Sequence, residues 1–311
     1  MRRTLAVSLL LLCAAVPASA APAPAAKPAA PPAPFTLEHA LTLNSISSLT
    51  WSADGRRLAF VVSSVDTAEN TINQDLWLYE HATGRTVQLT RHAKNDFSPT
   101  FSPGGDTIAF ISARATGDDA KPAIYMLPLR GGEPWAFGSY DEGVSEVAWS
   151  PDGRWLAFVK PDTLPQRVRD WRKKKWDQVV EDERLQYPHL WVVEIATGRQ
   201  RRLTSGAQWV WSARWSPDSR ALAFLTSPTG KVDDANSADV GIVAAAGGPM
   251  RKLGVIGDGS FAWSPDSRWI ALATGADRAK YVEKADLWVV PAAGGQPVNL
   301  TAGFDEDANA P

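Results

Sequence analysis

Trp149-Ser150-Pro151-Asp152-Gly153-Arg154-Trp155-Leu156-Ala157-Phe158 is the clearest copy of a ten-residue box that recurs along the chain. Its first half reads as a tight turn: Pro presets φ for the first central position, Asp suits the second, and Gly closes the turn in a left-handed conformation. The aromatic residue before the turn and the Leu-Ala-Phe after it then occupy inward positions of two antiparallel strands, so the box is a hairpin. The other copies are WSADGRRLAF from Trp51 to Phe60, FSPGGDTIAF from Phe101 to Phe110, WSPDSRALAF from Trp215 to Phe224 and WSPDSRWIAL from Trp263 to Leu272. Where Ser219 and Ser267 replace Gly, either a side chain must accept the left-handed conformation or the turn must change type.

Working outward, a second box follows each first one. It runs from Asp75-Leu-Trp-Leu-Tyr79 to Leu89-Thr90, from Ala123-Ile-Tyr-Met-Leu127 to Gly138, from His189-Leu-Trp-Val-Val193 to Leu203-Thr204, from Asp239 to Gly254, and from Asp286-Leu-Trp-Val-Val290 to Leu300-Thr301. Ala-Thr-Gly or Gly-Gly at each midpoint predicts another tight turn between alternating strands. Each repeat therefore supplies four strands, and successive boxes start 50, 48, 66 and 48 residues apart. Four short antiparallel strands in roughly 40 to 50 residues make one propeller blade. The predicted fold is all-β, a β-propeller of four-stranded antiparallel blades with five blades starting near 51, 101, 149, 215 and 263, occupying 35–311. Of the fourteen tryptophans, Trp51, Trp149, Trp215 and Trp263 share one repeat position and Trp77, Trp191 and Trp288 another. That recurrence reads as inter-blade core rather than ligand recognition.

Residues 1–20 have the pattern of a signal peptide: basic Arg2 and Arg3, an apolar run from Leu5 to Ala15, and an Ala18-Ser19-Ala20 cleavage box. Cleavage near Ala20 would deliver a periplasmic or secreted protein, and no later apolar run is long enough for a spanning helix. Residues 21–34, with seven Ala and six Pro, read as a tether. Cys13 is the only cysteine and lies inside the signal, which leaves a mature chain without disulfides or thiolate metal ligands. A net charge of −2 and a pI near 6.1 supply no field for nucleic acid. Neither membrane insertion nor any cofactor is expected.

Eleven residues separate Thr90 from the next box at Phe101, and the same step from Thr301 passes the last residue, Pro311. The lead-in Asp305 to Pro311 resembles Asn95 to Thr100, with Asp307 set where Asp96 stands. These spacings lead us to expect a truncated ring. An open five-blade arc would bare apolar sheet faces and promote aggregation.

The boxes, the signal and the short Phe35-Thr-Leu-Glu-His-Ala-Leu41 leader together resemble the N-terminal half of bacterial prolyl oligopeptidase family serine peptidases, of the dipeptidyl peptidase IV and acylaminoacyl-peptidase type. TolB-like periplasmic propellers use similar boxes but place a separate domain first, for which the residues before Trp51 leave no room. The peptidase resemblance implies a C-terminal α/β-hydrolase domain as partner, short peptides as substrates, and a propeller that roofs the active site and restricts access. The alternative is a stand-alone TolB-like scaffold binding a protein. No G-x-S-x-G nucleophile elbow occurs in the chain, so no catalytic triad is assigned. His39, His81, His92 and His189 read as surface or hydrogen-bonded structural histidines.

The 66-residue spacing places an insertion between Lys160 and His189, rich in charge and in helix formers. Val168, Trp171, Val179 and Val180 fit one stripe of a projecting amphipathic helix, which by composition reads first as a solvated cover for a blade edge. In the dipeptidyl peptidase branch, the resemblance implies that a propeller insertion offers glutamates to the substrate's α-amino group. Glu181 and Glu183 are the matching candidates, although the family's Asp-Trp-x-x-Glu-Glu pattern is not reproduced around Asp170-Trp171. The acidic stretch from Asp233 to Asp239 lacks the Gly and terminal Glu of a calcium loop and reads as a hydrated loop.

Overall fold

The computed structural model describes residues 35–36, 39–40, 42–67, 69–115, 120–174, 186–231, 234, 237–256, 260–275 and 284–308. Residues 41–311 form one compact unit. It holds five antiparallel sheets, each built from four strands consecutive in the chain. Sheet 1 contains β1 (Ser45–Trp51), β2 (Arg57–Asp66), β3 (Thr71–Glu80) and β4 (Arg85–Gln88). Sheet 2 contains β5 (Asp96–Phe101), β6 (Thr107–Ser112), β7 (Ala123–Pro128) and β8 (Trp135–Ala136). Sheet 3 contains β9 (Ser145–Trp149), β10 (Trp155–Pro161), β11 (Pro188–Glu194) and β12 (Gln200–Arg202), with helix α1 (Gln166–Lys173) between β10 and β11. Sheet 4 contains β13 (Trp209–Trp215), β14 (Ala221–Ser227), β15 (Asp239–Ala244) and β16 (Arg251–Ile256). Sheet 5 contains β17 (Phe261–Trp263), β18 (Trp269–Thr274), β19 (Asp286–Pro291) and β20 (Val298–Asn299). First strands of successive sheets touch, β1 with β5, β5 with β9 and β9 with β13, as expected of blades set around an axis.

The box turns are hairpins held by one serine and one aspartate. Ser150 Oγ donates to Asp152 Oδ1 at 2.5 Å and accepts the Trp155 N–H at 2.9 Å, which locks both ends of the loop. The same pair recurs as Ser52 with Asp54, Ser216 with Asp218 and Ser264 with Asp266. In sheet 2, where Gly104 takes the Asp position, Asp106 accepts from Ser102 instead. The serine hydroxyl is the main reason that Asp54, Asp106, Asp218 and Asp266 sit below the ordinary carboxylate range. The left-handed position is Gly153 at φ 74° in sheet 3. Ser219 and Ser267 keep the same turn, at φ 61° and 62°. Each of these serines is also used across a junction: Ser219 Oγ accepts the Asp152 N–H at 3.0 Å, and Ser267 Oγ accepts the Asp218 N–H at 3.1 Å.

A second left-handed residue recurs three positions before the box aromatic, at Ser48, Ser98, Glu146 and Ser212, with φ from 52° to 56°. The ladder slips there, as between Ser47 and Thr50 or between Trp211 and Arg214. These are β-bulges in the innermost strands, sharpening the local twist.

Apolar residues from neighbouring sheets form the core. Ala59, Val61 and Leu76 of sheet 1 pack on Phe101, Ile108 and Phe110 of sheet 2. Leu190, Val192 and Leu203 of sheet 3 meet Trp215, Leu222 and Phe224 of sheet 4, and Val240, Leu253 and Val255 of sheet 4 meet Phe261 and Ile270 of sheet 5. The indoles tie these junctions together: Trp215 Nε1 donates to Ala148 O at 3.0 Å and Trp263 Nε1 to Arg214 O at 3.1 Å. Trp51, expected in this core by its repeat position, is instead 53% exposed, because no described sheet covers that face of sheet 1. In sheet 4 the third-strand tryptophan is replaced by Gly241, and the buried Phe224 ring lies against its backbone, 2.6 Å from where a Cβ would stand.

The Asp and Thr of the second box clasp strands three and four. Thr90 Oγ1 accepts the Leu76 N–H and donates to Asp75 Oδ1; Thr301 does the same for Leu287 and Asp286. Asp307 Oδ1 accepts the Ala285 N–H, which matches Asn95 accepting from Gln74. Asp307 is thus the structural counterpart of Asn95 and not, as the bare spacing indicated, of Asp96.

Candidate functional site

The insertion leaves sheet 3 at Pro161 and returns at Pro188, and these two residues face each other in the ladder. One further bond closes the stem, from the Asp162 N–H to Tyr187 O at 2.9 Å, and Gln186 Nε2 donates to Asp162 O. Asp162 then bridges inward. Its Oδ1 is 3.0 Å from Arg202 Nη1 of β12, and its Oδ2 is 3.3 Å from His189 Nε2. The Nε2 contact is off the line of a hydrogen bond.

His189 is fully buried. It stands where other sheets carry Asp75, Asp239 or Asp286, and its Nδ1 lies 3.2 Å from Thr204 Oγ1, which also accepts the Leu190 N–H. The Thr hydroxyl can then donate to Nδ1, leaving the ring proton on Nε2 toward Asp162. Burial pushes the imidazole below its ordinary pKa, reinforced by the Arg202 charge and opposed by Asp162. It is a structural histidine, with no nucleophile among its partners.

A second clamp holds the outgoing strand. Asp141, in the connection between sheets 2 and 3, accepts from Thr163 Oγ1 at 2.8 Å and from Lys160 Nζ at 3.1 Å. These two bonds, the threonine's first, hold its pKa at about 2. Glu142 accepts the Leu164 N–H and pairs with Lys121 at 2.8 Å. Burial alone would raise the Glu142 pKa, but Lys121 and the Leu164 amide outweigh it and the net direction is down. Lys160 Nζ also lies 4.3 Å from the centre of the Trp191 ring, a cation–π contact. Beyond the clamp, α1 buries Val168 and stacks the Arg167 guanidinium on Trp171.

Glu181 and Glu183, like Val179 and Val180, lie outside the described residues. The carboxylates that are described at the stem, Asp141, Glu142 and Asp162, are all committed to cations of the propeller itself. Sequence reasoning missed these three because their partners sit about twenty or more positions away and no local pattern marks them. Of the acidic stretch from Asp233, Asp239 is described as a strand residue accepting the Gly254 N–H, which is the clasp position. Among the described residues no group of three or more His, Cys, Asp or Glu side chains could hold a metal ion.

A further concavity of about 550 Å³ lies along β9, β13 and β17 and is lined by Trp149, Arg214, Trp215, Phe261 and Trp263. Its lining includes no carboxylate, and two of its indole N–H groups are spent on the junction bonds described above.

No family model matches the chain. It is 30% identical over 216 residues to the uncharacterized peptidase YuxL of Bacillus subtilis, a match covering 65% of this chain and 32% of that protein. Its fold is similar to Pyrococcus horikoshii acylaminoacyl peptidase, with a TM-score of 0.59 and 15% identity over 85% of this chain and 41% of that one. The chain is a β-propeller of the kind carried by prolyl oligopeptidase family peptidases. This propeller is also similar to the putative TolB of Agrobacterium tumefaciens, with a TM-score of 0.53 and 19% identity over 83% of this chain and 80% of that one. The propeller spans about a third of the length of YuxL.

Proposed function

We propose that this propeller is the non-catalytic part of a secreted or periplasmic serine peptidase, roofing the active site of an α/β-hydrolase domain and admitting only short, unfolded peptides. The observation that carries the reading is the match to a peptidase about twice as long as this chain, since it covers 65% of this chain and only 32% of that protein. Among the described residues no helix is long and apolar enough to cross a membrane, which is compatible with export directed by residues 1–20.

Within that reading, Glu181 and Glu183 take the free α-amino group of the substrate. Asp141, Glu142 and Asp162 already neutralise Lys121, Lys160 and Arg202, so an ammonium group arriving at the insertion needs other carboxylates.

The test uses the gene and the full-length enzyme. Sequencing beyond codon 311 should reveal a G-x-S-x-G-bearing reading frame, and an immediate stop would favour the TolB-like scaffold instead. The enzyme should cleave a short peptide but spare the same sequence inside a folded domain; equal cleavage of both would refute the roof. Glu181→Gln with Glu183→Gln should raise KM for free-amine peptides only, and an unchanged KM would remove these residues from the site.

A further inference from the structure

Two of the box turns set an aspartate directly before a glycine, Asp54-Gly55 and Asp152-Gly153, and both aspartates are exposed to solvent. Such a pair is open to spontaneous isomerisation, because glycine puts no side chain in the way of ring closure. The Gly nitrogen attacks Cγ of the aspartate, the N–Cγ bond forms, and the amide proton leaves with the carboxyl hydroxyl as water. One water then opens the resulting succinimide at either carbonyl. Opening at the former main-chain carbonyl gives isoaspartate, in which the backbone runs through the side chain and is one carbon longer.

Both turns oppose that closure at each reacting atom. The Gly153 N–H donates to Ser150 O and the Gly55 N–H to Ser52 O, each at 2.9 Å, so the attacking nitrogen is engaged. None of Ala53, Asp54, Pro151 and Asp152 has positive φ, which together with these bonds makes both turns type I. At the second central position of a type I turn ψ is about 0°, which swings the following nitrogen away from Cγ. The carboxylate is pinned as well. Asp152 Oδ1 accepts from Ser150 Oγ at 2.5 Å and from the Arg154 N–H at 3.0 Å. Asp54 Oδ1 accepts from Ser52 Oγ at 2.6 Å and from the Arg56 N–H at 3.0 Å. The Ser52 bond, before any other cause, keeps Asp54 below the ordinary carboxylate range and so in its ionised form, a poor electrophile.

We propose that Asp54 and Asp152 are latent isomerisation sites and that the turn serine, Ser52 or Ser150, is the latch that keeps each one closed. The turns at Asp218-Ser219 and Asp266-Ser267 carry the same serine and amide bonds, but there the following residue has a side chain that hinders the ring by itself. They are the built-in controls. Release of the latch in sheet 3 reaches beyond the turn: the extra backbone carbon at position 152 breaks the bond from the Gly153 N–H to Ser150 O. It also draws the Asp152 N–H away from Ser219 Oγ, its partner across the junction with sheet 4.

The test is timed incubation of the chain at neutral pH, below its melting transition, with isoaspartate read position by position by peptide mass spectrometry. The folded wild type should form it at Asp54 and Asp152 far more slowly than the same chain unfolded in urea. Ser150→Ala should raise the rate at Asp152 roughly tenfold, the effect of losing a bond of about 1.4 kcal/mol to a charged group, and leave Asp54 unchanged. Ser216→Ala should form much less at Asp218, and equal formation there would overturn the part given to glycine. Equal rates in the folded and unfolded wild type overturn the inference. So does a Ser150→Ala chain that keeps the wild-type near-ultraviolet circular dichroism and isomerises at Asp152 no faster than the wild type. If that variant loses the spectrum, Ser52→Ala repeats the test at Asp54, with Asp152 as the unchanged reference.

Discussion

Ser219 combines a conformational cost with a bond across a junction, and substitution can separate the two. At φ 61° any residue with a Cβ is strained by roughly 1 kcal/mol relative to glycine. The hydroxyl offsets part of that by accepting the Asp152 N–H at 3.0 Å, a solvent-accessible bond contributing about 0.5 kcal/mol, the low end for such bonds. Ser219→Ala keeps the strain and loses the bond, so it should destabilise by about 0.5 kcal/mol. Ser219→Gly loses the bond but also the strain, and should fall within about 0.5 kcal/mol of the wild type. The decisive quantity is the difference between the two variants, roughly 1 kcal/mol in favour of glycine. Urea unfolding at low protein concentration reads it as a midpoint shift at constant slope. Ser267→Ala should behave alike, and the double alanine variant should show the sum. An alanine variant as stable as the glycine variant would refute the strain, and one as stable as the wild type would refute the bond.

Gly241→Ala should destabilise by about 1–3 kcal/mol in the same assay, because its Cβ would meet the buried Phe224 ring while φ is ordinary; a shift near zero would mean the ring can move aside. His189 is neutral in the fold with a lowered pKa, so the unfolded chain binds its proton first as pH falls. Stability from this group is complete above its ordinary value of about 6.5 and declines as pH drops toward the folded value; Asp162, Arg202 and Thr204 are the groups facing it. His189→Asn should flatten that slope, and an unchanged pH profile of melting would exclude the histidine as its source. Asp141→Asn should speed amide exchange at Leu164 and along α1 without altering exchange in sheets 4 and 5, since it weakens the bonds from Thr163 and Lys160. Uniform exchange rates throughout would argue that Glu142 holds the stem unaided.

The hairpins were legible because their signals are local: Pro, Asp and Gly act on their own φ or on an amide two residues away. The same letters could not decide what Ser219 and Ser267 do, since their partners Asp152 and Asp218 lie in the preceding sheet, more than forty positions off. The bulges at Ser48, Ser98, Glu146 and Ser212 carry no glycine to mark them. Trp51 shows the limit of repeat logic, which assigns a neighbour to every position and so cannot identify a face that no described sheet covers. The second-box Asp and Thr were visible as a pattern, but their use as a clasp needed coordinates. At the insertion, charge composition announced a helix, whereas the choice of Asp141, Glu142 and Asp162 as anchors was written only in three-dimensional proximity.

Each sheet takes its four strands from one unbroken stretch of chain. Among the described strands no ladder therefore awaits a distant terminus, and loop-closure entropy stays small at every step. A polypeptide emerging amino end first could finish one blade before the next appears, sealing each new aromatic layer against its predecessor. Assembly by sequential accretion would keep the bare apolar area at any moment to about a single sheet, which limits the time such surface is open to misassembly.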